Sequence, residues 1–149
     1  GLGLGLGLGL GLAAAPASAQ GPIKLGDINS YSGIGAPFTG PYRVGVEMAV
    51  EEINAKGGVL GRKIEFTTRD EKFKVDVALA MAKELVMREN VDVLVGTINS
   101  GASLAISDGV AKAEKVPFIV WTAKDEKITD TIEDAMNYLN ILKAYLEHR

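Results

Sequence analysis

From residue 23 onward, short apolar runs alternate with longer segments in which apolar residues recur every three or four positions. Residues 23–27, 64–68, 91–95 and 118–121 have the length and the β-branched content of buried strands. The first helix is predicted to start at Thr39-Gly40-Pro41, with Pro41 near its first position, where a missing N–H costs nothing. Tyr42, Val46, Ala49, Val50 and Ile53 form its apolar stripe, and Asn54-Ala55-Lys56-Gly57-Gly58 ends it through a left-handed cap. A second helix turns Val77, Ala78, Met81, Ala82, Leu85 and Val86 inward and stops near Glu89-Asn90. A third opens near Ser103 and runs to Glu114, with Leu104, Ala105, Val110 and Ala113 inward. Four strands separated by three helices with short links predict an α/β fold, a parallel sheet flanked by helices.

Three of the strands run straight into loops of small polar residues: Asn29-Ser30-Tyr31-Ser32-Gly33, Gly96 to Ser103, and Trp121-Thr122-Ala123-Lys124. In a parallel sheet these loops share one edge, the edge at which open α/β sheets bind ligands. Asn99-Ser100-Gly101-Ala102-Ser103 is the strongest candidate. Unsatisfied N–H groups at a helix start, together with the Ser100 hydroxyl, suit a carboxylate. N-capping by Ser100 or Ser103 explains the same residues without a ligand. Thr122, Ala123 and Lys124 end the neighbouring strand. Lys124 is either a solvated charge or a partner for an acidic ligand. Phe38, Tyr31 and Trp121 are placed to wall a pocket, although single aromatics also serve as core filler.

Composition narrows the chemistry. A net charge of −3, with acids interspersed among the Lys and Arg residues, offers no basic stripe for nucleic acid. The chain has no Cys and one histidine, His148, so it holds neither a thiolate site nor a His-based triad or multi-His metal site. No dinucleotide or phosphate loop is present. Neither Glu51-Glu52 nor Asp70-Glu71 reads as catalytic: the first is a solvated helix flank, and in the second Asp70, at the end of its strand, offers at most a minor edge role. No catalytic residue, metal or cofactor is expected. Residues 1–19, a Gly-Leu alternation running into Ala17-Ser18-Ala19, read as the apolar region and cleavage site of an export signal, or else as a low-complexity linker. Residues 130–149 read as an amphipathic helix whose apolar face either covers the sheet or meets a partner.

The run from Gly45 to Arg62, GVEMAVEEINAKGGVLGR, preceded by Ile23-Lys24-Leu25-Gly26 and Ser32-Gly33, resembles the leucine/isoleucine/valine-binding family. These are type I periplasmic solute-binding proteins of branched-chain amino acid ABC transporters. Val91-Asp92-Val93-Leu94-Val95-Gly96 followed by Ser100, and Val116-Pro117-Phe118-Ile119 ending in Thr122-Ala123, are similar to the family as well. The resemblance covers residues 23–129 and implies a Rossmann-like lobe of a two-lobed clamp. It implies a small-molecule ligand, an amino acid or small carboxylate, a membrane permease as partner, and a periplasmic location. The family's ligand-binding serine falls on Ser100, its contacts after the fourth strand on Thr122, Ala123 and Lys124, and its pocket aromatic on Phe38. Lys124 replaces the family's usual Thr, which favours ligands other than plain aliphatic amino acids. The tail departs from the family's crossover into a second lobe, so the expectation is a first lobe alone, truncated or rearranged, with weak affinity. A ligand-sensing domain of a receptor or regulator is the alternative.

Overall fold

The computed structural model describes residues 21–122. The leader-like residues 1–19, Ala123, Lys124 and the tail at 130–149 lie outside the described residues. Four strands, β1 (Ile23–Asn29), β2 (Ile64–Asp70), β3 (Val93–Gly96) and β4 (Phe118–Ile119), form one parallel sheet in the order β2-β1-β3-β4. The helices are α1 (Ala36–Ala55), α2 (Val75–Met87) and α3 (Ser100–Ile106). Helix α3 continues through a π-helical segment, Ser107–Ala111, into a last α turn, α4 (Lys112–Glu114).

The core lies on one face of the sheet. Successive strand residues point to opposite faces, so Ile28 of β1 and Leu94 of β3 meet the same helices. They pack with Ala78, Ala82 and Leu85 of α2 and with Ala102, Ile106 and Val110 of the α3 run, all fully buried or nearly so. The alanines let α2 approach closely. A Cβ added at Gly26 would sit 3.1 Å from both Leu85 Cδ1 and Val91 Cγ1, so Gly26 keeps the strand within reach of that helix. The opposite face is covered by α1. Tyr42, Val46, Val50 and Ile53 of its expected stripe are half-buried, whereas Ala49 is exposed.

Several boundaries differ from the expectation, each for a physical reason. Helix α1 begins three residues earlier than Thr39, so Pro41 lies inside the helix and Pro37 occupies the first turn. The rule that admits Pro where no N–H is needed therefore applies to Pro37. The end of α1 is as expected: Gly57 and Gly58 have φ of 104° and 83°, and a Cβ on Gly58 would fall 1.9 Å from the Arg62 carbonyl oxygen. Strands β1 and β2 run two residues further than residues 27 and 68, while β3 and β4 are shorter than expected. The third helix opens at Ser100 rather than Ser103. Its inward positions are Ala102, Ser103, Ile106, Ser107, Val110 and Ala111, and Ala113 is exposed. The wider π turn shifts the helical phase away from a strict 3.6-residue repeat.

Candidate functional site at the carboxyl edge

Every strand ends at the same edge, and the loops that leave it are bound to one another through a buried polar network. Glu71 follows directly on β2 and is fully buried. Its Oε1 accepts from Ser30 Oγ at 2.8 Å and from Thr97 Oγ1 at 2.6 Å. One carboxylate thus ties the loop after β1 to the loop after β3. Asn29 adds a second tie, its Oδ1 accepting from the Ile98 N–H at 3.1 Å. Thr39 Oγ1 donates to the Ser30 carbonyl at 2.7 Å and pins the start of α1 to the same loop. A Cβ on Gly35 would lie 2.5 Å from the Ser30 carbonyl oxygen and 3.1 Å from Ile98 Cδ1, so this glycine lets the two loops close on each other.

Burial raises the Glu71 pKa against the hydrogen bonds from Thr97 and Ser30 that favour its ionised form. Its Oε2, and Nδ2 of Asn29, are buried without hydrogen-bond partners. The neighbouring Asp70 behaves differently. Burial alone would raise its pKa, but donors from the Ser32 side chain and from the N–H groups of Lys72 and Tyr31 outweigh that and lower it. Asp70 Oδ1 accepts from both of those N–H groups at 3.0 Å.

The start of α3 is capped by Asn99. Its Oδ1 accepts from the Ala102 N–H at 3.2 Å, while its own N–H donates to Thr97 Oγ1. The cap is therefore neither Ser100 nor Ser103. Ser103 is buried inside the helix and donates to the Thr97 carbonyl at 3.3 Å. Ser100 is half-buried at the first helical position and Gly101 beside it is exposed. Phe38, in the first turn of α1, is 67% exposed, which suits the wall of an open site and leaves it no place in the core. Thr122 is exposed past the end of β4, the strand that pairs with β3. The structure thus brings Asn99, Ser100, Gly101, Phe38 and Thr122 to the same edge of the sheet.

A second cluster lies on the α1 face, just below this edge. Asp27 of β1 is fully buried and accepts from Tyr31 Oη at 2.5 Å and from Tyr42 Oη at 3.0 Å. Tyr42 stacks on Trp121, with ring centroids 4.3 Å apart and planes 3° from parallel. The Arg43 guanidinium lies 5.7 Å over the Tyr31 ring. Burial pushes Asp27 up to about 6, and the two tyrosine hydroxyls only partly oppose it. Burial and the adjacent carboxylate hold both tyrosines above the usual phenol range. Glu71, Asn29, Thr97 and Asp27 were not among the site residues expected from the sequence. The only hint was the neighbouring Asp70, read as a minor edge residue at the end of the second strand, because hydrogen bonds across loops leave no local pattern. Among the described residues there is no group of His, Cys, Asp and Glu able to hold a metal ion.

Residues 22–138 match the family model described as "Periplasmic binding protein". The chain is 41% identical over 112 residues to the Leu/Ile/Val-binding protein homolog 7 of Brucella suis, which covers 75% of this chain and 28% of that relative. Its fold matches the branched-chain amino acid transporter substrate binding protein LivJ of Streptococcus pneumoniae, solved in complex with isoleucine. The TM-score is 0.68 at 33% identity, over 73% of this chain and 31% of that one. A solute binding protein of an ABC transporter from R. palustris, solved in complex with benzoate, matches with a TM-score of 0.62 at 31% identity, over 68% of this chain and 28% of that one. The chain thus spans less than a third of the length of these relatives. With four parallel strands in the order of a type I lobe and a matching family model over most of its length, the chain belongs to the periplasmic binding protein family.

Proposed function

We propose that this chain supplies the first, ligand-gripping lobe of the substrate-binding component of an ABC transporter for branched-chain amino acids or related small carboxylates. The observation that carries the reading is the start of α3. Asn99 consumes its side chain in capping, which fixes the Ser100 and Gly101 backbone at the edge. A helix start of this kind suits a carboxylate, because its N–H groups carry partial positive charge. In this reading Ser100 supplies a hydroxyl, Thr122 and Ala123 a second polar wall, Lys124 a cation for an acidic group, and Phe38 an apolar side. The protein acts by binding and release, in the periplasm, and delivers its ligand to a membrane permease. The relatives' named ligands, isoleucine and benzoate, are both small carboxylates, which supports the chemistry and leaves the side-chain preference to Phe38 and Lys124.

Calorimetric titration of the purified chain with leucine, isoleucine, valine and benzoate tests this. A single lobe buries little of a ligand, so the expected dissociation constants are on the order of millimolar. Ser100→Ala is expected to weaken binding about 10- to 100-fold, the worth of one hydrogen bond to a charged group. Absence of saturable binding by all four compounds, or an unchanged affinity in Ser100→Ala, would overturn the assignment.

A further inference from the structure

Asp27 is a charged residue placed where α1 covers the sheet, and its two tyrosine partners link it to the edge above. We propose that Asp27 is a positioning residue for the carboxyl-edge site, its carboxylate holding Tyr31 on one wall and, through Tyr42, Trp121 on the other. The proposal rests on the ligand-binding reading only for what the two walls are for. The linkage itself is structural.

Tyr31 belongs to the loop that leaves β1, between the buried Ser30 and the exposed Ser32. Trp121 immediately precedes Thr122, where β4 has already ended. These two segments come from opposite sides of β3 in the strand order. Asp27 reaches both: directly to the Tyr31 hydroxyl, and by way of the Tyr42 hydroxyl to the ring stacked on Trp121. The groups acting on Asp27 are Tyr31 from the loop, Tyr42 and Arg43 from α1, and Asn29 from its own strand. Its partners across the sheet, Thr68 of β2 and Val95 of β3, carry no charge.

Both tyrosines donate to the ionised carboxylate. A protonated Asp27 carries an O–H that needs an acceptor of its own, and its hydroxyl oxygen accepts more weakly than an ionised one, so one of the two tyrosine bonds is weakened or reversed. The arrangement that fixes both walls therefore belongs to the ionised form. Burial brings the protonation of Asp27 close to the neutral range, and a carboxylate beside a solvated loop would not titrate there. A buried leucine or asparagine would fill this position at lower electrostatic cost, and neither could accept two tyrosine hydroxyls as an anion does.

Trp121 is the only tryptophan in the chain, so its fluorescence reports on the linkage without any ligand. Emission of the full chain is recorded from pH 4.5 to 8. The expected result is a reversible transition with a midpoint near 6, absent in Asp27→Asn. Because the Tyr42 hydroxyl favours the ionised carboxylate, Tyr42→Phe keeps the ring stack and moves the midpoint upward. This conservative variant keeps the test usable if Asp27→Asn fails to fold. A purely packing role for Asp27 predicts no pH transition at all. Flat emission in the parent chain overturns the proposal, as does a transition that survives in Asp27→Asn or a midpoint unmoved in Tyr42→Phe. Since no ligand enters the measurement, its failure is distinguishable from failure of the binding assignment.

Discussion

The two faces of the sheet are built on different principles. Against α2 and α3 the strands present Ile28 and Leu94, both fully buried, and the helices answer with alanines and branched aliphatics. Against α1 the strands present Leu25, Phe66 and Val95, half-buried, and Val93, buried, around the buried carboxylate of Asp27. The first face is held by apolar area, which is non-directional and scales with burial. The second is held by hydrogen bonds between named atoms, which carry position as well as energy. The stabilising face supports the site from behind, while the polar face and the Glu71 network fix the loops that form it.

The difference predicts unequal responses to the same kind of change. Leu85→Ala opens a cavity in the packed face and is expected to cost about 3 kcal/mol, read as a lower denaturation midpoint at unchanged slope. Val50→Ala, on the half-buried side of α1, should cost about 1 kcal/mol by the same measure. Equal losses at the two positions would remove the distinction between the faces.

The next largest effect is electrostatic. The Asp27 pKa rises from 3.8 to about 6 on folding, about two units at 1.36 kcal/mol each, or about 3 kcal/mol. Because the folded value is the higher one, this contribution is fully present below pH 3.8, declines as pH rises through 6, and is level above that. Asp27→Asn should therefore narrow the fall in stability between pH 4 and pH 6.5 by about that amount. Denaturant titrations of both proteins across this range measure it. A parallel pH dependence in the two would mean that Asp27 does not titrate on folding.

Removing the tie between the loops has a somewhat smaller effect. Glu71→Ala leaves the hydroxyls of Ser30 and Thr97 without their shared acceptor and should cost about 2 kcal/mol. Glu71→Gln keeps an acceptor at Oε1 and should recover most of it. If Glu71→Ala and Glu71→Gln unfold at the same denaturant concentration, the network is not what holds these loops. The smallest effect is at the cap. Asn99→Ala exposes one helix N–H and should cost about 1 kcal/mol, with Asn99→Asp close to the parent.

Where the sequence was read correctly, the signal was local. The repeat of apolar residues located all four strands and three helices, and Gly57-Gly58 marked the end of α1 because left-handed backbone is a property of the residue itself. The stretch from Asn99 to Ser103 was recognisable from its small polar residues as the junction of the third strand and the third helix, although the helix opens at Ser100 rather than Ser103. Choosing which residue caps it was not, because Asn99, Ser100 and Ser103 are all competent and only the backbone path selects one. The phase of the third helix was misread at Ala113 because a π turn has no sequence signature of the strength that Gly and Pro carry.

The sequence by itself determined the alternation of strands and helices, the parallel sheet that follows from it, and the edge to which the polar loops belong. Those properties come from periodicity and from backbone preferences that act within a few residues. Tertiary structure alone decided that Glu71 bridges Ser30 and Thr97 and that Asp27 collects two tyrosines. These partners are separated by 41, 26, 4 and 15 positions along the chain. A buried carboxylate needs donors from any direction that can reach it, and only the packed sheet fixes which donors those are.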